Sequence, residues 1–342
     1  MINFVDTVLG LSYGDEGKGK ITHLLSSKNK YDFCLRVAGG ANAGHTIFHN
    51  GKKFVTHIIP TGIFYGIPGI IGSGCVLNVG QFFNEISELK KSGINLTNKV
   101  FIAENCHIVQ DKHLQEEVAE AKIGTTKRGI GPAYRDKYAR EGLRAKDIPE
   151  LKSYIVDLYA LFYDNNKDVN ILCEGAQGFN LDIDWGDYPF VTSSHATIAG
   201  VIQNGITPSK IRNTYGIIKA YDTYVGSKSF EDKNCQDSHL FQKMRDLGQE
   251  YGATTGRPRQ CNWLNMDNVL KAARMNGTKF ICMNKMDILQ EIGEYKYYFN
   301  NTLKSTSSKE DFLDEIQKIV NMAGSALLVS YGPDKDYELI RK

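Results

Sequence analysis

The chain has 342 residues, 42% hydrophobic and 23% charged, an ordinary globular composition with enough apolar material for a sizeable core. A formal net charge of +2 gives no broad basic field, so composition offers no argument for nucleic acid as a partner. No apolar run reaches the ~20 residues of a membrane helix, "MINFVDTVLGLSYG" lacks the basic start of a signal peptide, and the seven cysteines never fall in a C-x-x-C pair. The expectation is a cytoplasmic protein with reduced thiols and no membrane contact.

In chain order, apolar patterning predicts strands over Phe4–Leu9, Phe33–Val37, Val100–Ala103, Asn170–Glu174, Tyr215–Tyr221, Lys279–Met283 and Ala326–Ser330. Between them it predicts helices over Lys18–Ser27, Gln81–Lys91, Leu114–Ala121, Glu150–Tyr163, His195–Gln203, Ser238–Leu247, Met266–Met275 and Lys309–Met322. The last shows a one-sided apolar stripe of Phe312, Ile316, Ile319 and Val320. Alternation of strands and helices implies an α/β fold. No repeat, low-complexity tract or Pro/Ser-rich linker divides the chain, so residues 1–342 read as one domain.

Glycines cluster at 14–19, 39–44, 124–131, 175–178 and 252–256, each beside polar side chains. Such loops at strand ends suit a polyanionic ligand. The first, Gly14-Asp15-Glu16-Gly17-Lys18-Gly19-Lys20, follows a strand and opens a helix, the unit that binds phosphate through backbone N–H groups. Lys18 and Lys20 can offset phosphate charge. Ile21 stands where a P-loop has a Ser or Thr for Mg²⁺, which leaves Asp15 as the natural oxygen ligand. A plain acidic turn capping the helix is the bland alternative.

In "GGANAGHT" (39–46), Asn42 can bond an oxyanion and His45 can act as an acid or as a donor to a phosphoryl oxygen. In "IGTTKRGIGPAY" and "DKYAREGLR", Thr125 and Thr126 offer donors, and Arg128, Arg140 and Arg144 suit phosphate forks; alone, these would read as a solvated basic loop. "CEGAQGFNLDIDWGDYPFVTSS" (173–194) places Gln177 to read a purine edge, and Thr192 to reach a phosphate. Its Asp182, Asp184 and Asp187 lack metal-loop spacing and read as a turn. In "YGATTGRPRQCNW", Arg257 and Arg259 beside Thr254 and Thr255 suit a dicarboxylate. Asn284-Lys285-Met286-Asp287 after an apolar strand reads as N-K-x-D, whose carboxylate can accept two hydrogen bonds from guanine; "SYGPDK" (330–335) could wall the same pocket.

Taken together, "GDEGKGK", "NAGHT", "GTT-RGIGPAY", "EGAQG-LDID-G-YP-VTSS", "GATTGR-R" and "NK-D" resemble the adenylosuccinate synthetase family, in order and over nearly the whole chain from Val8 to Pro333. The resemblance implies one α/β domain around a large, mostly parallel sheet flanked by helices, with a P-loop-like GTP site, working as a cytoplasmic homodimer in purine biosynthesis. It implies a ligase that joins L-aspartate to the 6-position of IMP at the expense of GTP, with Mg²⁺ as cofactor. By position, Asp15 becomes the base on purine N1 and a metal ligand, His45 the acid, and Gly44 a carbonyl ligand to the metal. GTP falls to Gly14, Glu16, Gly17, Lys18, Gly19, Lys20, Asn284, Lys285, Asp287, Ser330 and Gly332. The acceptor nucleotide falls to Asp15, Asn42, Thr126, Gln177, Thr192, Val225 and Arg257, with Arg140 reaching the neighbouring subunit's nucleotide. Aspartate falls to Thr255, Arg257 and Arg259.

The chain departs from the family after its "KAY" strand. Tyr224 replaces an arginine, Asp222 stands where a small residue is usual, and "VGSKSFEDKN" replaces a G-P-F-P-T-E turn near the acceptor's ribose. Pro258 and Gln260 break the arginine run. A phage branch of the family uses dGMP as acceptor, with Ser at the Asp15 position and ATP for GTP. Retained Asp15 and N-K-M-D favour IMP and GTP; the altered loop favours dGMP or GMP. A GTP-binding switch protein would need Ser or Thr after Lys20 and has no use for His45 or a dicarboxylate grip. An inactive homologue would not need Asp15, His45, Arg257 and Arg259 together.

Overall fold

The computed structural model describes residues 1–28, 30–49, 51–119, 126–164, 166–231, 236–252, 256–333 and 336–340. A ten-stranded sheet organises them. From one edge to the other its strands are Glu338–Leu339, Ala326–Val329, Phe280–Asn284, Ile211–Lys219, Ile2–Gly10, Val169–Glu174, Phe33–Arg36, Gly69–Ile71, Val100–Ala103 and Ile155–Val156. Neighbours pair parallel throughout except Glu338–Leu339, which returns antiparallel on Ala326–Val329. Parallel strands buried on both faces need near-continuous apolar runs, and residues 5, 8 and 9 of the first strand are 0–1% exposed.

Parallel pairing puts the carboxyl ends of these strands along one edge, where α/β sheets bind ligands. Ile2–Gly10 lies centrally and opens into the glycine loop; Phe33–Arg36 leads to residues 37–44; Val169–Glu174 leads to Gly175–Gly178. Phe280–Asn284 ends at Lys285, and Ala326–Val329 ends at Ser330. A smaller sheet joins Tyr221–Tyr224, Gln260–Asn265, Tyr295–Phe299 and Thr302–Thr306, and a hairpin pairs His45–His49 with Lys52–Thr56. One apolar core includes Phe82, Ile86 and Leu89 of the helix Val79–Lys91. Another gathers the helices Met266–Asn276 and Lys309–Asn321, with Phe312, Ile316, Ile319 and Val320 all buried as their spacing predicts.

Two predicted elements are corrected. The helix expected over 150–163 is a 3₁₀ turn (Pro149–Tyr154), an edge strand (Ile155–Val156) and a short helix (Leu158–Tyr163). Ile155 and Val156 are β-branched and extend the sheet from Ile102 and Ala103, while the Asp157 carboxylate caps the new helix at the Tyr159 amide, 2.8 Å away. The strand expected over 215–221 ends at Lys219, because Tyr221–Tyr224 crosses into the smaller sheet. Residues 130–139, to which no element was assigned from the sequence, form the helix Ile130–Ala139, entered through Gly129 at φ +73.

Candidate active site

The glycine loop turns through three residues with positive φ, Gly14 (+83), Asp15 (+57) and Gly17 (+91). Glu16 points under the loop. Its Oε1 accepts from the Ser12 and Gly14 amides at 3.2 and 2.9 Å, and its Oε2 accepts from Lys18 Nζ at 2.7 Å. Glu16 is 1% exposed; its charge is matched by Lys18, which also donates to the Gln177 carbonyl. The side chain assigned by motif to GTP thus braces the loop, and its neighbour Asp15 faces the other way. Gly17 is required twice: its φ excludes most side chains, and a Cβ would lie 2.8 Å from Asn284 Nδ2. That amide donates to the Glu16 carbonyl at 2.8 Å, tying N-K-x-D to the loop.

Lys20 donates to the Gly332 carbonyl at 2.5 Å and to Ser330 Oγ, with its ammonium 4.9 Å above the Tyr337 ring. Lys285 donates to the Gly248 carbonyl at 2.8 Å. Asp287 is half-buried, and its Oδ1 is buried with no hydrogen-bond partner among the described residues. These groups gather beside the loop, away from the main cleft.

The main cleft has a volume of about 740 Å³. It brings together Gly14, Asp15, Gly17, Lys18 and Gly19 with Asn42, Gly44, His45, Thr126, Gln177, Thr192, Val225 and Arg259. Glu16, Lys20, Arg140 and Arg257 are not among its lining residues, nor are Asn284, Lys285, Asp287, Ser330 and Gly332. Arg140 ends the helix Ile130–Ala139 at φ +67 and is exposed, as is Arg257. Thr255, Thr254 and Thr125 lie outside the described residues. Lining residues that sequence reasoning missed include Tyr13, Glu116, Glu117 and Arg135. Arg135 sits one helical turn behind Ile130, Gly131 and Pro132, which turn the helix N-terminus toward the cleft, an anion-favouring arrangement.

Two buried charge networks underlie the cleft. In the first, Glu174 is 0% exposed at the end of its strand. It accepts from Arg36 Nη1 at 2.9 Å, from the Thr61 amide and hydroxyl at 2.9 and 2.7 Å, and from His45 Nδ1. Burial alone would raise this carboxyl; His45, Arg36 and Thr61 outweigh it and bring it down to about 2. His45 is lowered to about 4, first by burial and then by Arg36, whose Nη1 lies within 3.0 Å of both ring nitrogens. An ionised Glu174 holds a proton on Nδ1, so the neutral ring keeps its lone pair on Nε2. In the second network, Arg259 donates to Asp15 Oδ2 through Nε (3.0 Å), with Nη2 2.9 Å from the same oxygen, and to Glu250 through Nη1. Glu250 also accepts from Lys219 at 3.0 Å and Tyr221 at 2.8 Å. Burial would raise Glu250; Lys219, Arg259 and Lys285 bring it to about 2. Sequence patterning carried one signal for Arg36 and Glu174: each is a charged residue closing an apolar strand at the ligand edge.

Hard oxygen donors suit Mg²⁺. Asp15 and Gly44 both line the cleft, and Arg259 engages the single oxygen Oδ2 of Asp15, so a carboxylate oxygen and a backbone carbonyl beside a phosphate loop fit such an ion. Asp182, Asp184 and His195 also cluster. There, Asp182 is taken by the amides of Asp184, Trp185 and Ala196 at 3.0, 3.1 and 2.7 Å, the work of a turn rather than a cation site.

The family profile of adenylosuccinate synthetase matches residues 7–154 and 148–324. The adenylosuccinate synthetase of Thermodesulfovibrio yellowstonii is 38% identical, over 91% of this chain and 83% of that one. That of Phaeodactylum tricornutum is also 38% identical, over 92% of this chain and 69% of its own. The structure of fully ligated adenylosuccinate synthetase from Plasmodium falciparum superposes with a TM-score of 0.82 at 28% identity, covering 99% of this chain and 100% of that one. Cyanophage S-2L succinoaminodeoxyadenylate synthetase, bound to dGMP and dATP, shares the fold, with a TM-score of 0.76 at 21% identity over 97% and 94% of the two chains. The chain therefore belongs to the adenylosuccinate synthetase family, ligases that form a C–N bond.

Proposed function

We propose that the chain joins L-aspartate to the 6-position of IMP at the expense of GTP, through a 6-phosphoryl intermediate, giving adenylosuccinate, GDP and phosphate. The observation that carries this reading is the meeting of Asp15, His45 and Arg259 in one cleft with a phosphate-type glycine loop. A GTPase alone has no use for a carboxylate and an arginine facing a second ligand. Asp15 takes the N1 proton of the purine, and the electron pair moves to O6, which attacks the γ-phosphorus as GDP departs. Glu174 keeps the His45 ring in place through Nδ1; as the triphosphate's charge approaches, Nε2 takes a proton, gives up its Arg36 contact and donates to the transferring phosphoryl group. The aspartate amine then attacks C6, and phosphate leaves carrying the original O6. Held by Asp15 and Gly44, Mg²⁺ would neutralise charge on the phosphate oxygens.

Within this reading Lys18 and the loop meet the GTP phosphates, and Asp287 reads guanine through its unpartnered Oδ1. Asn42, Thr126 and Thr192 hold the acceptor phosphate, Gln177 reads its base, and Val225 meets its sugar. Arg259, with Thr255 and Arg257, grips aspartate. In the free protein Arg259 rests on Asp15, so aspartate's carboxylates take over a guanidinium that Asp15 then releases. The chain is one domain over 1–342, acts in the cytoplasm as a homodimer, and presents the exposed Arg140 to its neighbour's nucleotide. No helix among the described residues is long and apolar enough to cross a membrane.

A second reading takes dGMP or GMP as acceptor, to give a 2-aminoadenine precursor. The observation favouring it is the rebuilt wall at Tyr224–Gly226, next to the expected sugar position. Incubation with GTP, Mg²⁺ and aspartate, offering IMP, dIMP, GMP and dGMP separately, decides between them. Turnover with IMP is expected. Turnover with dGMP but none with IMP would overturn the primary reading, and phosphate release without any acceptor would mark a GTPase.

A further inference from the structure

Asp187 has no part in the chemistry above, yet it joins three segments that border the cleft. Its Oδ2 accepts from the Tyr13 hydroxyl at 2.9 Å and pairs with Lys228 Nζ. Tyr13 immediately precedes Gly14 and Asp15; Asp187 lies between Gln177 and Thr192; Lys228 follows Val225 and Gly226. The Lys228 ammonium sits 5.3 Å from the Tyr13 ring centre and 5.8 Å from that of Tyr224. Phe230 completes the packing, 4.9 Å from Tyr13 and 5.5 Å from Tyr224. From behind, Gln260 pins the same loop, donating to the Lys228 carbonyl at 2.8 Å and accepting from the Phe230 amide at 2.9 Å. Gly226 is fitted to this arrangement, since a Cβ there would fall 1.8 Å from the Tyr224 hydroxyl.

Tyr13, Tyr224, Val225 and Gly226 line the cleft; Asp187 and Lys228 stand behind them, with side chains 41% and 25% exposed. An ion pair so exposed adds little to folding stability. What it does fix is position: it ties the loop that carries Tyr224 to the segment that carries Gln177 and Thr192. We propose that Asp187 is a positioning residue for the acceptor nucleotide, holding the Tyr224–Val225–Gly226 wall against its sugar through Tyr13 and Lys228. This rests on the reading of the cleft as a purine monophosphate site. Substrate discrimination between ribose and deoxyribose then depends on a contact made outside the cleft itself.

The test compares Asp187→Ala, Lys228→Met and the double variant with the unaltered protein in steady-state kinetics and thermal melting. In Asp187→Ala the KM for IMP rises about tenfold, while the KM values for GTP and aspartate stay within about twofold. Lys228→Met, which keeps the Tyr13 bond, gives a smaller rise of about threefold, and the double variant matches Asp187→Ala because both act through one contact. The preference for IMP over dIMP narrows in step, and melting temperatures stay within about 2 °C. An unchanged KM for IMP in Asp187→Ala overturns the inference, as does a parallel rise of all three KM values with a lowered melting temperature. Calorimetric titration of the unaltered protein with IMP and dGMP separates the failures. If neither binds, the reading of the cleft falls and this inference with it; if one binds and the variants are unmoved, this inference falls alone.

Discussion

The floor and the rim of the cleft are both held by charge, and they are built in opposite ways. On the floor, Arg36 and Glu174 are 2% and 0% exposed, and Glu174 is held by fixed groups: a guanidinium, an imidazole, and the amide and hydroxyl of Thr61. On the rim, the Asp187–Lys228 pair is open to water and leans on aromatic rings. A buried ion pair is costly to break because the survivor is left uncompensated, whereas an exposed one is cheap to lose. The difference teaches a division of labour. The contacts that hold His45 are buried and fixed, whereas the wall proposed to meet the acceptor's sugar is tied by a pair open to water. Part of the chain's departure from its family falls on this rim, at Tyr224 and the loop after it, while Asp222 departs at a buried position.

Asp15→Asn should lower turnover by about 10³-fold or more while GTP binding, measured by calorimetry, remains; surviving activity would show that another group takes the N1 proton. Glu174→Gln leaves Arg36 buried without its counter-charge. It should destabilise the fold by about 3–5 kcal/mol in denaturant titration and lower kcat, in contrast to the near-silent melting of Asp187→Ala. If Glu174→Gln melts like the unaltered protein, floor and rim are not different in kind.

Acid sharpens the same contrast. Glu174 and Glu250 are both held at about 2, below the usual carboxylate value of 4.5. A lowered folded-state pKa stabilises above the unfolded value, so their contribution is complete above about pH 4.5 and lost as pH falls toward 2. Each carboxylate should forfeit on the order of 3 kcal/mol across that window. Glu174→Gln should flatten part of the acid limb in denaturation curves collected from pH 6 to pH 2; an unaltered limb would place the linkage elsewhere.

The glycine loop was legible because its spacing is local: a strand, a turn and a helix within residues 2–28. The same holds for N-K-x-D, whose strand context the fold reproduces. Glu174 has no meaning in its motif alone, because that meaning depends on Arg36, 138 residues away. Glu250 likewise means little until Lys219 and Arg259 close around it. Glu16 shows the converse limit. Motif position assigned it to GTP, while the turn at Gly14 and Asp15 sends it beneath the loop. The helix expected over 150–163 failed because a sheet edge at Ile102–Ala103 competes for Ile155 and Val156, and no single-segment pattern reports that partner.

In the proposed reaction, O6 of the acceptor, activated at Asp15, becomes a phosphoryl ester before the amine arrives. This step is tested most directly with IMP carrying ¹⁸O at the 6-position, turned over with GTP, Mg²⁺ and aspartate, and the released phosphate analysed by mass spectrometry. The account predicts one ¹⁸O in each phosphate formed. Unlabelled phosphate, with the label released to water, would contradict it.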